Sequence, residues 1–411
     1  MPDQATEASR TITPYDVSDA ALYVEDRWKE PFEQLRRDMP VSYCPDSPYG
    51  LYWSVSTLDL VQQVELKSEI FASSITLGGI TIIDPPEEMK LPNFIAADAP
   101  THTAQRKVVQ PAFNPSEMSR REAEIRQRTK QLFDNLPIGE TFDWVERVSI
   151  ELTIGMLSIL FDFPWEERLD MKRWSDWASE VSPDQSEERT AEFMEQMTQM
   201  LTKFDELFEA RRAAPPADDL FSRIVHSDAM GDMPPMERIA NIALLIVGGN
   251  DTTRNSMSGF VHACHLFPEQ FDKLRADPSL VPNAAQEIIR WQSPVTHMRR
   301  TCTQDTELGG QQLTKGDKVI LWYISANRDE GVFENPDQFD VTRKNARRHV
   351  AFGHGVHRCV GARLAEIQLA VLFEEILSRG IRIEEVAEPT RLASPFLHGF
   401  TEMPVQLVPI E

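Results

Sequence analysis

Apolar side chains fall on nearly every face of the segment from Ile239 to Val247, and the run continues with polar interruptions to Phe260. A helix that is apolar all round belongs in a core, so this pattern predicts a long central helix over 239–260. Asp232, Pro234, Pro235 and Glu237 give it a start: an N-cap acceptor, prolines in the first turn and an acid near the positive end of the dipole. A second helix is predicted over 283–291, where "QEIIRW" stops before Ser293 and Pro294. A third starts at about Cys359 and runs through "VGARLAEIQLAVLFEEILSR", whose apolar positions return at helical spacing. Strand character is clear at 50–57 and 317–325, both rich in β-branched and aromatic residues. The expected fold is mainly α with small β-sheets. It forms one domain over 1–411, because no Gly/Ser-rich or Pro-rich linker and no internal repeat divides the chain.

Two stretches break this pattern. Gly248-Gly249-Asn250-Asp251-Thr252-Thr253 interrupts the central helix with two glycines, each costing about 1 kcal/mol relative to alanine, and then an acid and an alcohol. A distortion that opens a groove for a ligand would account for it. The second stretch, 327–358, is long and strand-poor, which a compact domain tolerates only if something organises it. A buried cofactor would supply that reason.

Charge and composition narrow the classes. The chain has 411 residues, 41 % apolar and 26 % charged, enough for a large core. Its net charge of −23 disfavours nucleic acid and anionic membranes as partners. No segment approaches the roughly 18 apolar residues of a membrane span, and the polar N-terminus carries no apolar signal region. A cytoplasmic location is expected. Cys44, Cys264, Cys302 and Cys359 lie far apart without CxxC pairing, against both a disulfide scaffold and a zinc knuckle.

The stretch "AFGHGVHRCVGARLAE" (351–366) sets His354, His357 and Cys359 within six positions. A zinc site closes with four ligands, and three at this spacing do not make one. A plain buried cysteine would leave the glycines unexplained: Gly353 and Gly355 permit a tight turn against a flat ligand, and Gly361 lets the next helix approach it. A cysteine at a helix start faces free N–H groups and the positive dipole end, which favours thiolate, a ligand for haem iron. His262 and His265 share a helix face without a nearby acid and read as structural.

Phe352-Gly353-x-Gly355-x-His357-x-Cys359-x-Gly361 resembles the haem-binding signature of the cytochromes P450 residue for residue. The resemblance implies haem b with Cys359 as axial ligand and a cradle including Phe352, Gly353, Gly361 and Gly248. His357, His102, Arg106 and one of Arg299 or Arg300, with Arg300 preferred, are implied at the propionates. Glu287 and Arg290 resemble the family's Glu-x-x-Arg pair, with Arg343 as its third member, and Asp251 and Thr252 its acid–alcohol pair for proton delivery during O2 activation. Electrons would come from a ferredoxin and an NAD(P)H-dependent ferredoxin reductase. Six basic residues (Arg343, Lys344, Arg347, Arg348, Arg358 and Arg363), with no acid from 341 to 365, suggest with Lys107 a docking face for that ferredoxin.

Separated segments supply the expected substrate lining. The stretch 73–100 gives Ile82, Ile83, Leu91 and Phe94, and the central helix gives Leu244, Val247 and Gly248. "SPVTHMRR" gives Val295, Thr296 and Met298, and "SPFLHGF" gives Phe396 and Leu397. Such a wall suits a hydrocarbon. "LGGITIIDPPEEMKLPNFIAADAPTH", "GGNDTTRNSMSG" and "SPVTHMRRT" are similar to the bacterial branch that hydroxylates the terminal carbon of medium-chain alkanes. Terminal hydroxylation of medium-chain alkanes or fatty acids is therefore expected, with cyclic terpene or aromatic hydrocarbons as alternative substrates. A peroxide-driven haem-thiolate enzyme and a non-catalytic haem sensor are rival classes, neither of which needs the Asp251–Thr252 pair.

Overall fold

The computed structural model describes residues 10–87, 90–179 and 186–410; the polar stretch 1–9 lies outside them. The central helix forms as expected but runs longer, Pro235–Leu266 (here α3). Proline's fixed φ suits the first helical position, so the helix begins at Pro235. Asp232, placed too far upstream to reach the first-turn N–H groups, does not cap it. The helix runs unbroken through Gly248 and Gly249. The Thr252 hydroxyl turns back onto the Gly248 carbonyl at 2.8 Å.

Four more helices frame the centre: α1 (Leu58–Leu66), α2 (Thr101–Val109), α4 (Val281–Gln292) and α5 (Ala362–Ser378). α4 ends where Ser293 takes a left-handed conformation, φ 46°, before Pro294. A mixed sheet lies to one side, from β1 (Val41–Cys44), β2 (Tyr52–Val55), β3 (Phe71–Ala72), β4 (His297–Cys302) and β5 (Lys318–Trp322), in the order β1-β2-β5-β4-β3. Its β2–β5 pairing is parallel, with Ser54 opposite Ile320. One apolar core surrounds α3, and a second lies under the sheet. Val350 packs into the sheet-side core, and Ala351, Phe352 and Val360 pack against the helical one. The cysteine loop therefore sits where the two cores meet.

Its approach, 327–358, contains no strand and is organised by buried charge. Glu287 and Arg290 on α4 have no exposed surface and pair at 2.7 Å, and Arg343 reaches the same carboxylate at 2.9 Å. The guanidinium groups spend their remaining donors on loop carbonyls. Arg290 bonds those of Asn327, Pro336 and Gln338, and Arg343 bonds those of Glu334, Asn335 and Gln338. Arg328 ties the loop back to α4 through the Trp291 carbonyl at 2.6 Å. The organiser of this stretch is thus the protein's own brace, where the sequence suggested a cofactor.

Glu287→Gln leaves two buried guanidinium groups without their counter-ion and should cost about 3–5 kcal/mol. Urea unfolding followed by circular dichroism checks this, and a loss under about 1 kcal/mol would remove the brace from the account.

Candidate functional site

Cys359 lies three residues ahead of α5, because a short turn over Gly355–His357 and the Gly361 cap displace the helix start to Ala362. Its N–H donates to the Phe352 carbonyl at 2.7 Å, and the N–H groups of Gly361 and Ala362 point at its sulfur. Burial nevertheless pushes the thiol pKa up, and those N–H groups with Arg106 and Arg358 only partly oppose it. The expected thiolate is therefore not set by the helix end alone; a bound cation has to displace the proton. Cys359 retains free surface although it lies between the two cores.

Open space also lies beside Gly248 on α3. A Cβ on Gly248 would meet nothing within 4 Å, and Leu244, Val247 and Thr252 are each only partly buried. Asp251, one residue along, turns away into the core with 0 % exposure. It pairs with Arg254 at 2.7 Å and accepts from Ser175 at 3.1 Å, and burial raises its pKa. Arg254 also contacts Asp176 at 3.2 Å, which connects Asp251 to a partly exposed acid.

On α2, His102 and Arg106 share the face turned toward the cysteine loop. The His102 and His357 rings lie 4.1 Å apart, and each keeps a buried nitrogen with no partner among the described residues: Nε2 of His102 and Nδ1 of His357. Burial, with Arg300, His102 and Arg106 nearby, lowers the pKa of His357 to about 2; burial and Arg106 lower that of His102. Arg106 donates to the Arg358 carbonyl at 2.6 Å. Strand alternation separates the two candidate arginines. Arg299 turns to Asp84 at 2.5 Å, while Arg300 turns inward toward Glu65 and the histidines.

Two idle nitrogens, two guanidinium groups, an open sulfur and an uncrowded glycine opposite it match a flat, dianionic, iron-bearing ligand such as haem. The histidines at 262 and 265 do not form a metal site. His262 pairs with Glu385 at 3.0 Å, and no metal-binding cluster occurs among the described residues.

Two residues of the expected substrate wall are placed otherwise. Ile82 and Thr296 are 0 % exposed and stand behind the wall. The Thr296 hydroxyl bonds the Pro395 carbonyl, and the Ile82 N–H bonds His297 Nε2 at 3.3 Å. Val295 and Leu397 are backbone neighbours, joined by an antiparallel bridge. Sequence reasoning missed Glu65, Tyr323 and Arg328. Glu65 could have been found: it shares a helical face with Leu58, Val61 and Val64, where an acid is out of place.

The geometry predicts opposite outcomes at two glycines. Gly248→Ala adds a methyl to open space and should gain up to about 1 kcal/mol from helix propensity. Gly355, at φ 66° with the Glu65 carbonyl 2.6 Å from any Cβ, should lose more than about 1 kcal/mol as alanine. Urea midpoints of the two variants moving in the same direction would contradict this.

The cytochrome P450 family model matches residues 135–380. Linalool 8-monooxygenase of Pseudomonas putida is 38 % identical, with 96 % of this chain and 99 % of that protein covered. A methyl-branched lipid omega-hydroxylase of Mycobacterium tuberculosis is 35 % identical over 91 % of this chain and 90 % of its own. The structure of cytochrome P450-153 from Novosphingobium aromaticivorans superposes with a TM-score of 0.92 at 52 % identity, covering 96 % of this chain and 99 % of that one. With the family model matching more than half of it and these relatives covering almost its whole length, the chain belongs to the cytochrome P450 family and is a haem-thiolate monooxygenase.

Proposed function

We propose that this monooxygenase hydroxylates the terminal carbon of medium-chain apolar substrates, alkanes or fatty acids, using haem b and electrons from a ferredoxin reduced by an NAD(P)H-dependent reductase. What supports this reading is the apolar character of the proposed lining, Phe94 and Leu244 in the helical core and Val295, Phe396 and Leu397 in the sheet-side core, with no charged side chain among them. The lipid omega-hydroxylase relative, named for terminal oxidation, supports it, and the linalool enzyme supports terpenes as the second substrate class.

Haem bound to a thiolate supplies O2 activation when it is in place. Cys359 would hold it from below. His357, His102, Arg106 and Arg300 would hold its propionates, and Phe352, Gly353 and Gly361 would shape its edge. Asp251, joined through Arg254 to the partly exposed Asp176, and Thr252, whose hydroxyl rests on the Gly248 carbonyl, would serve as the acid–alcohol pair for proton delivery. Terminal selectivity opposes bond strength, since secondary C–H bonds are weaker. The wall must therefore present the methyl end alone. Leu397 and its neighbour Phe396, both buried, would narrow it.

Four exposed cations, Lys344, Arg347, Arg348 and Arg358, with exposed Lys107, remain for partner docking. Arg343 leaves this group as an internal brace, and Arg363 is held by Glu366 at 3.0 Å.

Incubated with octane, ferredoxin and reductase, the protein should give mainly the primary alcohol, and Leu397→Ala should raise the share of internal alcohols several-fold. An unchanged ratio would refute the wall. Arg347→Gln/Arg348→Gln should slow reduction by the ferredoxin and flatten its dependence on ionic strength. Unaltered rates at every salt concentration would make the patch structural.

A further inference from the structure

Glu65 lies near the end of α1, 4 % exposed, and carries a burden that the family signature does not explain. Its Oε1 accepts from the Tyr323 hydroxyl, directly after β5, and from the Arg300 guanidinium on β4 at 3.3 Å. The His354 N–H faces it from the cysteine loop. Its Oε2 is buried with no partner among the described residues. The fit against the loop is close: a Cβ on Gly353 would stand 3.3 Å from the Tyr323 oxygen and 3.4 Å from Glu65 Oε1. A Cβ on Gly355 would stand 2.6 Å from the Glu65 carbonyl. These two glycines thus also make room for Glu65 and its backbone.

Arg300 is thereby shared. Glu65 holds one side of it, and on the other it is close enough to His102 and His357 to disfavour their protonation, as Arg106 also does. A propionate seated on those histidines would place a second carboxylate on the same guanidinium. Two acids sharing one cation compete for it, and adding negative charge nearby favours the protonated form of the weaker one. Burial already pushes Glu65 up to about 6.

We propose that Glu65 is a positioning residue whose proton is linked to haem reduction. When an external one-electron donor reduces the haem, a proton from water forms an O–H bond on Glu65, and on reoxidation it returns to water. No other bond forms or breaks, and the net charge around Arg300 is kept. This rests on the assignment of Arg300 to a propionate.

The test is the reduction potential of the substrate-free holoenzyme, titrated with dithionite from about pH 5 to about pH 8. Because the reduced protein binds the proton more tightly, the potential should fall as pH rises between the Glu65 pKa of the oxidised and of the reduced form, and level off on either side. Glu65→Gln should abolish the fall. Tyr323→Phe removes a donor that favours the charged carboxylate and should move the fall to higher pH. A Glu65→Gln protein with the wild-type slope would overturn the proposal. If that variant fails to hold haem, an unmoved fall in Tyr323→Phe would overturn it instead. Haem loss from Arg300→Gln to excess apomyoglobin separates the underlying assignment. Loss at the wild-type rate removes the propionate contact, whereas faster loss alongside a wild-type slope in Glu65→Gln leaves that contact and removes the proton linkage.

Discussion

One carboxylate with no access to water, Glu287, sets the geometry on which the site depends. Two guanidinium groups neutralise it from opposite directions, Arg290 from its own helix and Arg343 from the loop. A backbone without helix or strand must find partners for its carbonyls elsewhere, and between Asn327 and Gln338 those partners are the free N–H groups of these same arginines. The charge pair and the loop are therefore one unit. Neither arginine could remain buried without the acid, and the loop could not hold its path without the arginines. The cysteine inherits its position from that path.

Around the cysteine the electrostatic balance reverses. The chain carries a large negative charge, yet the groups nearest the expected propionates are Arg106, Arg300 and two histidines that burial, aided by their cationic neighbours, keeps uncharged. The single buried acid among them, Glu65, is itself raised toward neutrality by burial. A site arranged in this way is short of anions and admits a dianion with little rearrangement. The sulfur follows the same logic: two cap N–H groups orient it, but burial keeps its proton until a metal replaces it.

What could be read from the sequence follows the range of the interactions. The central helix was legible because nine consecutive apolar-rich positions admit no other placement, and α4 because Ser293-Pro294 stops it. The cysteine signature was legible because its glycines, histidine and cysteine are close in the chain. The preference for Arg300 over Arg299 rested on its spacing to Asp305, and the structure sends the two side chains in opposite directions, Arg299 to Asp84 and Arg300 to Glu65. Long-range features were not legible. Nothing local says that Arg328 binds the end of α4, that Thr296 spends its hydroxyl on Pro395, or that Gly355 is forced by a carbonyl from residue 65. The false start at Asp232 has a physical cause: tertiary packing along α3 outweighs local propensity.

The central claim is that this fold presents Cys359 as a thiolate ligand to haem. The most direct measurement is the spectrum of the reduced, carbon monoxide-bound holoprotein, beside that of Cys359→Ser. The expected result is the long-wavelength Soret band that marks thiolate ligation, present in the native protein and absent from the variant. A folded, haem-loaded native protein showing only the shorter-wavelength band of a neutral ligand would contradict the account.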